Sequence, residues 1–254
     1  MSNSDKRTEE RARSRREQGH FDQVVEASEQ FYWADRTEAG LRRQTLRSER
    51  IARAAHFQPG WRVLDVGCGT GLYTTRLSSD ERVDFIAIDV ATAALRVAAQ
   101  RTGPNVHVLA ADANDLPFPD GSFDAVVGNA VLHHLSLEPS LAELTRVLAP
   151  GGRLCFAEPN LLNPQVFAER NIPYLRRRLQ NSPDEIAFVR WPLERTLREH
   201  GFEQTSIVPF DFLYPLTPPR LIGAVERLGA ALERVPLVRE IAGSLLVTAR
   251  KREA

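Results

Sequence analysis

The stretch that decides the fold is VLDVGCGTGL, residues 63–72. An apolar run of strand type leads directly into three closely spaced glycines, and Leu72 opens a helical segment. Glycines allow a tight turn and let a ligand approach the backbone, while the first turn of the following helix offers free N–H groups to an anion. The stretch therefore predicts a ligand-binding turn at the carboxyl end of a buried strand.

Apolar strands alternate with helices along the middle of the chain. The predicted strands are 61–66, 83–90, 106–110, 123–129 and 153–157, and the predicted helices between them are 71–79, 91–101 and 137–148. This alternation is typical of a parallel sheet with helices on both faces, and right-handed crossovers make it doubly wound. Ligands of such α/β folds bind at the carboxyl ends of the strands.

The organisation expected around this sheet is one Rossmann-like domain with additions. We expect a charged, frayed tail (1–20), N-terminal helices (21–57), a ligand-binding core (58–160), cap insertions (161–192 and 211–243) and completion of the sheet (193–210 and 244–254). The helix at 40–57 is expected to keep its arginine-rich face in water. Aromatic residues of the cap predict a pocket for a bulky, partly apolar molecule; a second small core beneath the cap is the alternative.

Composition excludes several classes of protein. Lys plus Arg and Asp plus Glu are both 33, hydrophobic residues make up 43% and charged residues 26%. The zero net charge gives no reason to expect a nucleic-acid partner. No stretch is apolar enough to span a bilayer, and the charged start is unlike a secretory signal. Cys68 and Cys155 match neither a metal nor a disulfide pattern, so we expect a cytoplasmic location.

Two details of the glycine turn select its ligand. The spacing is G-x-G-x-G followed by Leu72, whereas the dinucleotide fingerprint is G-x-G-x-x-G/A. Asp65 would repel a pyrophosphate, but it can take an ammonium while the helix N-terminus takes a carboxylate. That combination of charges matches the methionine end of S-adenosylmethionine. Asp65 as a helix cap remains the alternative.

The stretch VLDVGCGTG resembles the first motif of class I S-adenosylmethionine-dependent methyltransferases, of the type 11-like small-molecule kind. Later segments agree in order and spacing: IAIDV (86–90), ADA (111–113), LPF with GSFD (116–124) and RVLAPGG (146–152). The resemblance covers about residues 60–160. It implies a seven-stranded, mostly parallel sheet and S-adenosyl-L-methionine as the methyl donor.

The resemblance also implies which residues hold the donor. Asp89 would accept the ribose hydroxyls, Asp112 would meet the adenine amino group, and Asn129 would contact the amino-acid part. Tyr32 would close over the donor. The full expected set is Tyr32, Asp65, Gly67, Cys68, Gly69, Gly71, Leu72, Asp89, Val90, Asp112, Ala113 and Asn129. Cys68 is interpreted as a loop filler rather than a nucleophile.

Two polar residues follow neighbouring strands of the expected sheet. His133 lies after the fourth strand and Glu158 ends the fifth, so the topology brings them towards each other. A carboxylate beside an imidazole orients it and raises its basicity. We predict His133 as general base and Glu158 as its orienting partner; packing or helix capping is the alternative role. His134 is expected to face the core, and adjacent helical histidines point about 100° apart, so no metal is expected.

The expected reaction is in-line methyl transfer to an oxygen, nitrogen or carbon nucleophile of a free small molecule, with oxygen first. Candidate acceptors are a secondary metabolite, a quinone, a glycolipid or a sugar-bearing metabolite. A nicotinamide-dependent oxidoreductase and a donor-binding scaffold without catalysis are the competing functions. The chain is expected to act as a monomer or homodimer. Whether the helix near 221–232 lies on a membrane surface or pairs two subunits is left open.

Overall fold

A seven-stranded sheet forms the centre of the computed structural model, which describes residues 3–27, 37–178 and 185–253. The strands are β1 (Arg62–Val66), β2 (Asp84–Asp89), β3 (Val106–Ala110), β4 (Phe123–Asn129), β5 (Leu148–Pro159), β6 (Phe202–Phe210) and β7 (Ser244–Lys251). Their order across the sheet is β3-β2-β1-β4-β5-β7-β6. β1 to β5 pair in parallel, and β7 runs antiparallel between β5 and β6. The predicted Rossmann-like, mostly parallel sheet is confirmed.

Ten α-helices are described around the sheet. They are α1 (Asn3–Ala27), α2 (Glu38–Ala55), α3 (Leu72–Leu77), α4 (Thr92–Arg101), α5 (Leu137–Val147), α6 (Pro164–Asn171), α7 (Pro173–Arg178), α8 (Arg190–Glu199), α9 (Pro219–Leu232) and α10 (Pro236–Arg239). α2 begins where the hydroxyl of Thr37 accepts the Gly40 N–H at 2.9 Å, a typical N-cap. Measured by length and hydropathy, no helix of the described ranges could cross a bilayer.

The two faces of the sheet bury two separate cores. Alternate residues of β1 divide between them: Leu64 belongs to the core under α5 and α8, whereas Val63 packs with Ile51 of α2. Side chains of successive strand residues point to opposite faces, so a strand that is apolar throughout needs cover on both sides. Because both faces of the sheet are covered, the carboxyl ends of β1, β2 and β4 lie at the edge of the sheet, near the surface of the protein.

The structure differs from the sequence-based expectation at the N-terminus. Residues 3–20 were expected in a frayed tail, but they lie in α1, which packs on α4. Asp22 of α1 accepts the Ala93 N–H at 2.9 Å, which supplies a partner for one free donor at the start of α4. Val25 and Phe21 of α1 pack on Ala91, Ala93 and Ala94, but the residues before Phe21 are almost all polar and leave little apolar periodicity in the sequence.

The arginine-rich face of α2 also differs from expectation, because part of it is turned inwards. The Nε of Arg43 donates to the buried Asp211 at 2.7 Å, and the side chain is only 15% exposed. Arg50 pairs with Glu233 at 2.7 Å. These acids lie after β6 and at the end of α9, so ion pairs attach the cap to α2.

Substitution of Gly128 tests the packing between β4 and β5, and substitution of Gly223 in α9 is the control. A Cβ on Gly128 would lie 2.4 Å from Cε1 of Phe156, whereas a Cβ on Gly223 of α9 would meet nothing within 4 Å. We expect Gly128→Ala to lower the free energy of unfolding by about 1–3 kcal/mol. Gly223→Ala should raise it by about 0.5–1 kcal/mol. Urea unfolding followed by circular dichroism measures both, and equal effects would contradict this packing.

Candidate functional site

A cavity of about 250 Å³ lies over the carboxyl ends of the parallel strands. The strand ends and the loops that follow them contribute Val66, Gly67, Cys68, Gly69, Thr70, Leu72, Tyr73, Ile88, Asp89, Val90, Ala111, Asp112, Ala113, Asn114, Asn129, Ala130, Val131, His133, His134, Leu135 and Pro159. Helices α1, α2 and α6 close it from the other side. The cavity therefore lies where ligands of doubly wound sheets bind.

Most of the residues expected to hold a methyl donor line this cavity. They are Gly67, Cys68, Gly69, Leu72, Asp89, Val90, Asp112, Ala113 and Asn129. Gly71 lies at the N-cap of α3 and Asp65 lies beneath the turn; neither is among the lining residues. Tyr32 lies outside the described residues. Cys68 is buried, and burial raises the pKa of its thiol well above the ordinary value, which suits a loop filler.

The glycine turn is built from left-handed backbone. Gly67, Gly69 and Gly71 have φ values of 67°, 53° and 76°. A Cβ on Gly67 would lie 2.3 Å from Cγ2 of Val131, so a side chain is excluded there by both conformation and space. At Gly67 and Gly69, which line the cavity, the absence of a side chain lets a ligand approach the backbone.

Asp65 is placed differently from the direct ammonium contact that the sequence suggested. Its Oδ2 accepts the hydroxyl of Thr74 at 2.7 Å, and the residue is 2% exposed beneath the glycine turn. Burial raises its pKa to about 7, although the Thr74 bond acts in the opposite direction. In this position Asp65 ties β1 to α3 and thereby supports the turn from below.

Asn129 instead presents an unused acceptor to the cavity. Its Oδ1 is buried and has no hydrogen-bond partner among the residues that the structure describes, which is costly for a polar atom unless a ligand completes it. An ammonium group is a suitable donor for an amide oxygen. Asn129 therefore fits the amino group of S-adenosylmethionine.

Two carboxylates line the region expected for the nucleoside part. Asp89 accepts the N–H of Gly69 at 2.9 Å and the N–H of Ala91 at 2.8 Å, one on each oxygen. Each carboxylate oxygen has a second lone pair, which is available to a ribose hydroxyl. Asp112 receives both hydrogen bonds from Asn114 on Oδ1, so Oδ2 remains available to an amino group.

His133 and Glu158 meet at the junction of β4 and β5. The Nδ1 of His133 lies 2.8 Å from Oε2 of Glu158. The other carboxylate oxygen accepts the N–H groups of Val131 at 3.0 Å and Leu132 at 2.9 Å. Glu158 is 0% exposed and His133 is 4% exposed, yet the imidazole lines the cavity. Nδ1–H donation to Glu158 leaves the Nε2 lone pair of His133 available.

Burial controls the protonation of this pair. It holds the pKa of His133 well below the ordinary value, with a further lowering by His134 and Arg170. Burial raises the pKa of Glu158 to about 7 against the effect of the backbone N–H groups that it accepts. The imidazole is therefore neutral at physiological pH and can accept a proton on Nε2, but burial makes it a weaker base, contrary to the raised basicity expected from the neighbouring carboxylate.

His134 was expected to face the core, but it lines the cavity. Its Nδ1 lies 3.0 Å from Oε2 of Glu17 on α1, and its ring stacks edge-on against Phe21 at 5.0 Å. The short 3₁₀ turn Leu132–His134 brings the His133 and His134 rings to 4.1 Å, closer than an α-helix would. One ligand atom from each histidine and from Glu185 lies within 4.8 Å of the others, and Glu185 is also paired with Arg170.

Sequence reasoning missed the residues that close the cavity from above. They are Arg13, Ser14, Glu17, His20 and Phe21 of α1, Arg43 and Arg47 of α2, Gln165, Val166, Glu169 and Arg170 of α6, with Glu185 and Gly243. The sequence offered one signal, which is that the arginines of α2 have possible acidic partners at 211, 226 and 233. These acids are so far away in the chain that the pairing could not be assigned from sequence.

The cap aromatics do not form the predicted pocket. Phe167, Tyr174 and Trp191 are 55%, 60% and 51% exposed, and none of them lines the cavity. Leu213 is instead buried with Ile222 and Ala39 in a small separate cluster. The alternative interpretation, a second core beneath the cap, describes this region better.

Comparisons with known proteins agree with this geometry. The family model of a methyltransferase domain matches residues 64–156. The chain is 34% identical over 171 residues to a demethylmenaquinone methyltransferase of Renibacterium salmoninarum, an alignment that covers 61% of this chain and 71% of the relative. The chain belongs to the class I S-adenosylmethionine-dependent methyltransferases.

Solved structures show the same methyltransferase fold. A methyltransferase of Thermotoga maritima, described as a possible histamine N-methyltransferase, superposes with a TM-score of 0.65 at 19% identity over 92% of this chain and 99% of that one. Phosphoethanolamine N-methyltransferase 2 of Haemonchus contortus, in complex with S-adenosyl-L-methionine, gives 0.58 at 18% identity over 83% and 53%. S-adenosyl-L-methionine is the methyl donor of this methyltransferase.

Donor binding tests the roles of Asp89 and Asn129. Loss of a hydrogen bond to a charged group costs about 1.5–3 kcal/mol, so Asp89→Asn and Asn129→Ala should each raise the Kd for S-adenosylmethionine roughly 10- to 100-fold. Titration calorimetry measures this. Asp80→Asn is the control, because Asp80 pairs with Arg82 outside the cavity. Unchanged affinity in both cavity variants would refute the assignment.

Proposed function

We propose that this methyltransferase methylates a hydroxyl-bearing ring of a bulky, partly apolar small molecule of the quinol or phenol type. The observation that carries the proposal is the buried His133–Glu158 pair, whose imidazole lines the cavity. An amine that is already uncharged needs no base, whereas a hydroxyl group must lose its proton to become a strong nucleophile.

The lining of the cavity supports an acceptor of this kind. The apolar side chains of Phe21, Val131, Leu135 and Val166 line the same cavity as His133. They would contact a flat ring, while the charged groups beside His134, which are Glu17, Glu185 and Arg170, would meet its polar substituents. The relative from Renibacterium salmoninarum acts, by its name, on demethylmenaquinone, which fits a ring acceptor.

The chain's own residues supply position and a proton acceptor. Nε2 of His133 takes the hydroxyl proton, and Glu158 stabilises the imidazolium through Nδ1–H. S-adenosylmethionine would supply the methyl carbon from its sulfonium, with the electron pair of the broken C–S bond remaining on sulfur. If a ring carbon rather than the oxygen were methylated, that carbon would lose its proton to solvent and the oxygen would regain one from the His133 imidazolium, which restores the aromatic ring. Glycines 67 and 69 and Asn129 hold the donor while the cavity wall orients the ring for in-line attack.

Acceptor chemistry can be tested with a panel of molecules. We expect methyl-labelled S-adenosylmethionine to transfer label to short-chain naphthoquinols and alkyl phenols kept reduced. Their fully etherified analogues, which differ only in lacking the free hydroxyl, should not react. Mass spectrometry detects the added methyl group. Labelling of histamine or other amines alone would refute a hydroxyl-bearing acceptor.

The pH dependence of turnover tests whether Glu158 supports His133 as the general base. Glu158 must be ionised to hold the imidazolium, so kcat should rise with pH through about 7, where its carboxyl titrates. His133→Gln should lower kcat by roughly 10²- to 10⁴-fold, the usual contribution of a general base. Glu158→Gln should lower kcat less and abolish the rise near pH 7.

Controls separate a base from a structural residue. Donor affinity and melting temperature should be retained in His133→Gln, and His134→Gln should keep the pH profile. A chelator should leave turnover unchanged. Equal kcat in His133→Gln and the parent protein would refute the base, and loss of activity with chelator would instead assign a metal to the His133, His134 and Glu185 cluster.

A further inference from the structure

One side of α9 is an exposed apolar stripe that the methyltransferase reaction does not use. Leu221, Leu228 and Val235 recur every seven residues and are 46%, 60% and 45% exposed. Ala224 lies between the two leucines of the helix, Ala231 follows Leu228, and both alanines are also exposed. We call this stripe, with the arginines described next, the outer face of α9.

An arginine precedes each member of the seven-residue repeat. Arg220, Arg227 and Arg234 are exposed, and no carboxylate of the described chain lies within ion-pair distance of them. Arg220 and Arg227 lie seven residues apart in α9 and are displaced by only about 20° around its axis, so they form a row beside the leucines, and Arg234 lies in the turn that follows the helix. The outer face therefore joins an apolar stripe to an unbalanced positive charge.

The acids of α9 are turned to the opposite side. Glu226 pairs with Arg42 at 2.6 Å and Glu233 pairs with Arg50 at 2.7 Å, both on α2. Ile222 and Gly229 are buried on the same inner side. The helix thus has a charge-balanced inner side against the protein and an outer side without an acidic residue.

We propose that the outer face of α9 docks on a bilayer surface that contains anionic phospholipid. Leucine side chains inserting at the headgroup boundary beside a row of arginines match the pattern of interfacial amphipathic helices. Leu237, just after the helix, is 86% exposed and extends the apolar side. The arginines would meet lipid phosphates while the leucines contact the acyl region.

Two other occupants fit these observations less well. A second copy packed antiparallel on this face about a twofold axis would bring two rows of arginines together, and like charges at such short range repel. A nucleic acid would satisfy the arginines but leave the leucines in water. A surface of anionic lipid satisfies both rows of side chains.

Flotation of the full-length protein with vesicles tests the proposal without any acceptor. We expect binding to vesicles of phosphatidylcholine with one third phosphatidylglycerol, and weak binding to phosphatidylcholine alone. Neutralising Arg220, Arg227 and Arg234 to Gln should weaken partitioning roughly 100-fold, from about fivefold for each charge. Leu221→Gln with Leu228→Gln should weaken it at least about tenfold.

The matched control is Arg53→Gln with Arg195→Gln, since those arginines are 79% and 78% exposed on other helices. It should keep full binding, and all variants should keep the parent melting temperature and donor affinity. Equal binding to neutral vesicles, or full binding by the triple arginine variant, would overturn the proposal. So would a solution dimer that dissociates in the double leucine variant, or tighter binding to a single-stranded oligonucleotide than to anionic vesicles.

Discussion

The contact between Glu158 and the chain that leaves β4 holds the site together. One carboxylate receives two backbone N–H groups and an imidazole, and it does so at 0% exposure between two parallel strands. Burying a carboxylate costs free energy unless its lone pairs accept hydrogen bonds. The loop after β4 therefore adopts the conformation that brings its N–H groups to Glu158. Ala130, at φ 54°, makes the turn that brings those N–H groups into place. The wall of the cavity follows from this arrangement.

The donor side depends on a different constraint, which is the exclusion of side chains. Gly67 leaves room for Val131, and Val131 in turn donates its N–H to Glu158. Val131 thus links the glycine turn to the pair formed by His133 and Glu158. Donor position and base position are coupled because both depend on where Val131 lies.

The sheet and the meeting of His133 with Glu158 could be foreseen, because apolar runs reveal the strands, parallel strands bring their carboxyl ends to one edge, and the family resemblance places the fourth strand beside the fifth. α1 could not, since residues 3–20 contain almost no apolar side chains and the helix reaches the site through Glu17 and Ser14. The cap was misread for the opposite reason. Aromatic composition shows that a segment is apolar without showing which side chains face the cavity, as the exposed Phe167 and Trp191 demonstrate. Asp65 was expected to contact the ligand directly, but it lies beneath the glycine turn. Sequence spacing does not reveal Thr74 as its hydrogen-bond partner.

The ion pairs between α2 and the cap determine which segments must be exchanged together in a chimera of this enzyme with a relative. Arg42 and Arg50 hold α9, and Arg43 holds Asp211 from the same helix. A chimera that exchanged residues 211–243 alone would leave these arginines facing foreign side chains, beside the cavity. Residues 38–55 and 211–243 therefore form one module for domain grafting, although more than 150 residues separate them in the chain.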